Sequence, residues 1–418
     1  MTLPLSVYRL ATRLLEPLAP GLLKRRAGGG KEDRERINER LGYPALSRPF
    51  GPLVWIHGAS VGETVSALPL VKRLLRERSD LHVLVTSGTT TSAEILGARL
   101  PDRAFHQYAP VDGPAAVARF LDHWRPDLLI LIEGELWPNL LNQAKARGIR
   151  LALISARMTQ STADGWRWAR GTARRLLAGF DVILSQDAAT RARLEGLGIH
   201  DAGLANLKLV GEPLTGSIEA LQHLKNAVAG RRVVVSASTH PGEEVIVDQA
   251  VTGLPGRPLH LIAPRHPARG DSIEAERSLA GRVVTRRSRG EAITDQTDVY
   301  LADTLGELGL FFRLGDVIVM GGGWAEGVNG HNPLEPARLG QAVLSGPSVA
   351  NWESVYSALS AIEAVRLAEA ADVAEALADR LGDPEGTAEM GARARRFADG
   401  QDAVLDDLWT HLKPLVPQ

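Results

Sequence analysis

From residue 51 onward the chain repeats one pattern, a short continuous apolar run followed by a stretch with helical spacing. The runs are Leu53–His57, His82–Thr86, Leu128–Glu133, Leu151–Ser155 and Asp181–Ser185. A second series follows at Arg232–Ala237, Leu259–Ala263, Val283–Thr285, Val299–Ala302, Asp316–Met320 and Ala342–Ser345. Side chains alternate between the two faces of a strand, so a run without polar alternation needs apolar cover on both sides. This predicts parallel sheets with helices on each face, an α/β class. Two series in 418 residues predict two Rossmann-like, doubly wound domains. The join falls near Gly203 to Gly216, where turn residues loosen the pattern. The expected parts are a leading segment 1–45, a first domain 46–205 and a second domain 206–418, with the last helix free to return to the first. Two such halves facing one another would make a central cleft.

Composition removes several function classes. A net charge of -1 gives no basic imbalance for binding nucleic acid, and none is expected as a partner. The chain has no cysteine, which excludes disulfide frameworks, thiolate metal sites and a cysteine nucleophile. No GxxxxGK[ST] loop, HExxH pair or GxGxxG fingerprint is present, so neither a metal nor a dinucleotide cofactor is expected.

Polar residues gather where the apolar runs end, which is where open α/β sheets bind ligands. Gly58-Ala59-Ser60-Val61-Gly62-Glu63 turns the first run into a helix and leaves a carboxylate in its first turn. A carboxylate there can act as a general base, or can simply complement the helix macrodipole. Glu133-Gly134-Glu135-Leu136-Trp137-Pro138-Asn139 ends another run with two acids, and Glu133 and Glu63 are expected to share one pocket, each opposing the other's charge. Arg157 brings a cation to the same rim, or is a solvated loop charge. In the second series, Ser238-Thr239-His240-Pro241-Gly242-Glu243 places hydroxyls before a predicted helix whose first turn holds Pro241. Such an arrangement suits a phosphate, or is plain capping. Pro264-Arg265, Leu305-Gly306-Glu307 and the Pro-started helix of Asn332-Pro333-Leu334-Glu335 follow later runs.

The first 26 residues carry Leu3, Leu5, Tyr8, Leu10, Leu14, Leu15, Leu18, Leu22 and Leu23 at roughly helical spacing, with Pro17 and Pro20 expected to kink or break the helix. Lys24, Arg25, Arg26, Lys31, Arg34, Arg36 and Arg40 follow. An apolar face beside clustered cations predicts a segment lying on an anionic membrane surface; the alternative is a helix packed on its own domain. The charge-free stretch from Pro17 to Leu23 is too short to cross a bilayer.

Taken in order, these motifs resemble the 3-deoxy-D-manno-octulosonic acid (Kdo) transferases, which act in lipopolysaccharide core biosynthesis. The likeness runs along nearly the whole chain and includes Asn206-Leu207-Lys208 and Gly330-His331-Asn332 besides the motifs above. It implies a GT-B glycosyltransferase that moves Kdo from CMP-Kdo to a hydroxyl of a lipid A precursor without a metal, at the cytoplasmic face of the inner membrane. By motif position it implies Glu63 as proton acceptor and Glu133 and Lys208 as transition-state residues, with Ser60, Gly62 and Arg157 toward the acceptor. Ser238, Thr239, His240, Glu243, Pro264, Arg265, Leu305, Gly306, Glu307, Asn332, Pro333, Leu334 and Glu335 would serve the donor. Asn329 stands where the family has glycine, which puts the backbone of that loop in question. A UDP-sugar-dependent GT-B enzyme of envelope biosynthesis would share the fold but lack the Gly-Glu-Leu-Trp-Pro-Asn run. A non-enzymatic two-domain sugar-binding protein would give Glu63 no task.

Overall fold

The structure is a computed structural model and describes residues 3–417. The chain forms two compact units. The first comprises the chain up to Gly211 and again from Asp402, and the second runs from Glu212 to Gln401.

The first unit is built on a sheet of seven parallel strands: β1 (Leu53–His57), β2 (His82–Ser87), β3 (Ala104–Tyr108), β4 (Leu128–Ile132), β5 (Arg150–Ala156), β6 (Val182–Ser185) and β7 (Gly203–Leu204). Their order is β3-β2-β1-β4-β5-β6-β7. Alternation divides β1 between two cores. Val54 and Ile56 join Leu70, Leu74 and Leu408 on one face, while Leu53 and Trp55 join Phe120, Trp124 and Leu129 on the other. Because both cores are apolar, the strand is apolar up to its last residue, His57. The helix Ala403–Leu412 returns from the second unit and buries Leu408, Trp409 and Leu412 in the first of these cores.

The second unit repeats the design with β8 (Val233–Thr239), β9 (Leu259–Pro264), β10 (Val284–Arg286), β11 (Val299–Leu301), β12 (Val317–Met320), β13 (Val343–Ser345) and β14 (Val365–Leu367), ordered β10-β11-β9-β8-β12-β13-β14. In each sheet the order reverses beside the first strand, between β1 and β4 and between β8 and β12. Such a switch point opens a crevice at the carboxyl ends of the strands.

Strands β3, β7 and β14 were not expected from the apolar pattern, and all three lie at sheet edges. An edge strand needs less apolar cover, so β3 keeps His106 and Gln107, and β7 has only two residues. The chain changes unit after Gly211 rather than after residue 205. The reason is packing: Leu207 and Val210 lie in a core of the first unit, and the Leu207 N–H donates to Ser155 Oγ at 2.9 Å.

The leading segment forms helices Leu3–Leu15 and Ala19–Gly28 around a 3-10 turn, Glu16–Leu18. Pro17 and Pro20 each sit near the start of a helical piece, where their missing N–H costs nothing. Its polar side faces the domain. Tyr8 Oη donates to Asp112 Oδ2 at 3.0 Å, Asn139 Nδ2 donates to Thr12 Oγ1 at 2.9 Å, and the Glu16 carboxylate accepts the Ala115 and Ala116 N–H groups. Leu5 and Leu23 are buried, but Leu10, Leu14 and Leu18 are 60%, 69% and 67% exposed. Part of the basic run is structural instead: Arg26 and Arg40 pair with Glu32, and Arg36 binds Glu39 through two 2.8 Å hydrogen bonds. Among the described residues no helix is long and apolar enough to cross a membrane.

Candidate active site

In the first unit, β1 hands over to the helix Val61–Ser66 with Ser60 as its N-cap, its Oγ accepting the Glu63 N–H at 3.3 Å. Glu63 bends back over that helix start. One oxygen accepts the Ala59 N–H and the other the Ser60 hydroxyl, both at 2.7 Å. The geometry is close to a capping box, so the helix-cap reading and the base reading describe the same carboxylate. Gly58 makes room for it, since a Cβ there would lie 3.0 Å from Glu63 Cβ.

Glu133 leaves β4 with φ 66°, and Gly134 follows at φ 148°. A left-handed Glu is strained by about 1 kcal/mol or more and holds only where its neighbours fix it. Here the Glu133 N–H donates to Ile154 O at 3.0 Å, and its carbonyl accepts the Arg157 N–H at 2.7 Å. Its carboxylate forms an ion pair with Lys208, whose own N–H donates to Asn206 Oδ1. The Lys208 ammonium therefore offsets the Glu133 charge, which is not the bare like charge beside Glu63 that the sequence suggested. The Glu63 helix packs on the Leu207–Leu209 turn carrying this lysine. The Arg157 side chain is exposed. Buried His57, at the end of β1, lies 4.0 Å from Glu135, and together with Trp137 and Arg40 it holds the Glu135 carboxyl below its ordinary value despite partial burial.

In the second unit the acids turn inward. Glu243 is 1% exposed; its oxygens accept the N–H groups of His240 (2.9 Å), Gly322 (2.7 Å) and Trp324 (3.0 Å). Thr239 donates to Glu244, which also binds Arg269. The Thr239 hydroxyl and the Glu243 carboxylate are thus engaged within the unit, where they shape the loops. The helix begins at Glu243 with Gly242 as N-cap, so Pro241 lies in the turn ahead of it and neither Ser238 nor Thr239 caps it. Leu334–Ala337 is a single turn, with Asn332 Oδ1 accepting the Leu334 N–H at 3.0 Å. Pro264 is buried at the end of β9, Arg265 is exposed beyond it, and Leu305 is 82% exposed. Gly306 and Glu307 line a shallow pocket with Thr215, Ser217 and Leu310, and the Arg287 guanidinium holds the Glu307 carboxyl below its usual range. Ser238 and Asn329 take φ 56° and 63°; asparagine tolerates that region better than most residues, which accounts for its standing at a glycine position. His240 Nε2 and His331 Nε2 are 2.9 Å apart, with their rings nearly parallel. Ser236, His260 and Asp248 form a hydrogen-bonded row resembling a hydrolase triad, but all three are buried inside the unit, where no substrate reaches the serine.

Residues 35–211 match the family model described as 3-Deoxy-D-manno-octulosonic-acid transferase (kdotransferase). A 3-deoxy-D-manno-octulosonic acid transferase from Rickettsia bellii is 31% identical over 96% of this chain and 97% of its own length. The Bordetella pertussis transferase of the same name is 34% identical over 94% and 95%. The chain belongs to the Kdo transferases. Among solved structures, a glycosyltransferase from Rickettsia africae (TM-score 0.58, 10% identity, 88% of this chain and 100% of that one) and MurG from Acinetobacter baumannii (TM-score 0.53, 12% identity, 86% and 100%) share the GT-B fold.

Within this Kdo transferase, the first unit brings Glu133, Lys208 and the Arg157 backbone together, with Ser60 and Glu63 on the adjoining helix start. The second gathers His240, Arg265 and the Asn332 loop at neighbouring strand ends. Sequence reasoning missed His57 and the pairing of His331 with His240. The signal for His331 was its place between Gly330 and Asn332 in a motif already singled out.

Proposed function

We propose that this Kdo transferase moves Kdo from CMP-Kdo to a hydroxyl of a lipid A precursor, with Glu63 as general base. The carrying observation is the Glu63 carboxylate at the end of β1, held by two short hydrogen bonds in a chain of this family. A carboxylate has about four lone-pair positions, so the two it uses leave others to accept the proton of an attacking hydroxyl. The Glu133–Lys208 pair supplies adjacent charge for the transition state, while Arg265, the Asn332 loop and Glu335 hold CMP. The phosphate leaves with its charge and needs no strong acid, and no metal is required.

The acceptor is an anionic, acylated lipid, which fits an enzyme working on the cytoplasmic face of the inner membrane. The exposed leucines of the leading helices, beside exposed Lys24 and Arg25, form the surface for that contact. The test is an assay of the purified protein with CMP-Kdo and with UDP-sugars, each offered a lipid A precursor in the presence of EDTA. Transfer from CMP-Kdo alone is expected; transfer from a UDP-sugar, or loss of activity in EDTA, overturns the reading.

A further inference from the structure

We infer that His240 and His331 act as one receptor for the donor phosphate, taking up a single proton between them as that phosphate binds. The inference rests on the reading of the second unit as the CMP-sugar site and adds a proton to it.

The pair sits at the switch point. His240 follows β8, and His331 lies on the loop after β12, the neighbouring strand on the side where the sheet order reverses. The backbone at both histidines is fixed. The His240 backbone N–H donates to Glu243, Tyr356 Oη donates to the His331 carbonyl at 3.1 Å, and Gly322, at φ 79°, leaves the His331 ring the space a Cβ would take.

The 2.9 Å separation of the two Nε2 atoms limits how many protons the pair can carry. One nitrogen must bear hydrogen and the other must be bare. A further proton can enter at Nδ1 of the donating ring without disturbing this contact, giving one positive charge. A second would set two N–H groups head to head and break it. The neighbours decide when the first enters. Burial together with Arg265, His266 and His240 pushes His331 down to about 4. Burial, with His266, Arg269 and Arg265, also lowers His240, and Glu243 opposes this only in part. The empty pair is therefore neutral near pH 7. An anion against the rings reverses the balance, because it favours the charged form that the guanidinium groups disfavour.

The experiment is calorimetry of the full-length protein with the methyl phosphodiester of CMP, whose single charge does not change near neutrality, in buffers of different ionisation enthalpy. Between about pH 6 and 8, binding is expected to take up a fraction of a proton approaching one, and affinity to fall by up to ~tenfold per pH unit as pH rises. Cytidine, lacking phosphate, should take up none. His331→Asn and His240→Asn should each abolish the uptake. A diester that binds the wild-type protein with no buffer dependence, or with the same uptake in folded His331→Asn, overturns the inference and leaves the donor site standing. If the diester does not bind at all, both fall. Should neither variant fold, the ring ¹⁵N shifts of the wild-type histidines decide, and failure to move toward imidazolium on binding overturns the inference.

Discussion

The two sheets end in opposite chemistry. At the carboxyl ends of the first, carboxylates stand at the rim: Glu63 over a helix start, Glu133 on a strained turn against Lys208. At the same place in the second, Glu243 and Glu244 are buried and spend their oxygens on backbone N–H groups, a hydroxyl and a guanidinium, and the rim is left to imidazoles and Arg265. One scaffold thus carries carboxylates at the rim of one unit and imidazoles with a guanidinium at the rim of the other. The difference lies in which way the acids point, not in how many there are.

The sharpest break of this contrast is at Glu63. Glu63→Gln keeps the shape of the helix cap and should cut transfer at least ~10²-fold while CMP affinity stays unchanged. Near wild-type turnover by the folded variant would remove the base from the first unit. On the other side, Glu335→Ala should weaken CMP binding by ~1–3 kcal/mol, read by calorimetry; an unchanged Kd would place the nucleotide elsewhere.

A third test separates the leading helices' two faces. Replacing Leu10, Leu14 and Leu18 by Gln leaves the Tyr8, Thr12 and Glu16 hydrogen bonds in place. It should lower binding to anionic vesicles by at least ~tenfold at unchanged melting temperature, since each apolar side chain loses its burial in the interface. Vesicle sedimentation that matches wild type would assign the leucines another role.

The smallest expected effect is at Asp112, which receives Tyr8 Oη and the Asn139 and Leu140 N–H groups but is pushed up to about 6 by burial. A carboxyl raised on folding stabilises below its ordinary value, and that contribution is lost as pH rises through about 6. The melting temperature should therefore decline between about pH 4 and 6, and Asp112→Asn should flatten that part of the profile. A parallel profile in the variant would assign the titration to another group.

Strands buried on both faces were legible because a continuous apolar run has few other uses. The edge strands β3, β7 and β14 were not, because half-covered strands tolerate His106, Gln107 and Arg366. Spacing placed Glu63 and Glu133 at strand ends, and only the family resemblance pointed to Lys208; neither could tell a carboxylate facing solvent from one facing backbone. The backbone partners of Glu243, Gly322 and Trp324, are some eighty residues away in sequence. The same distance effect hid the pairing of Arg40 with Ala109 and of His240 with His331.

The returning helix Ala403–Leu412 has a consequence for synthesis. Leu408, Trp409, Leu412 and Val416 complete a core whose other buried members, from Val54 to Val210, precede the entire second unit. A nascent chain that has passed Gly211 still has this core incomplete, and it must make the second unit before the missing wall arrives. The second unit, continuous in sequence, can fold as it emerges. The core of the first unit thus closes last, after everything that lies between its halves.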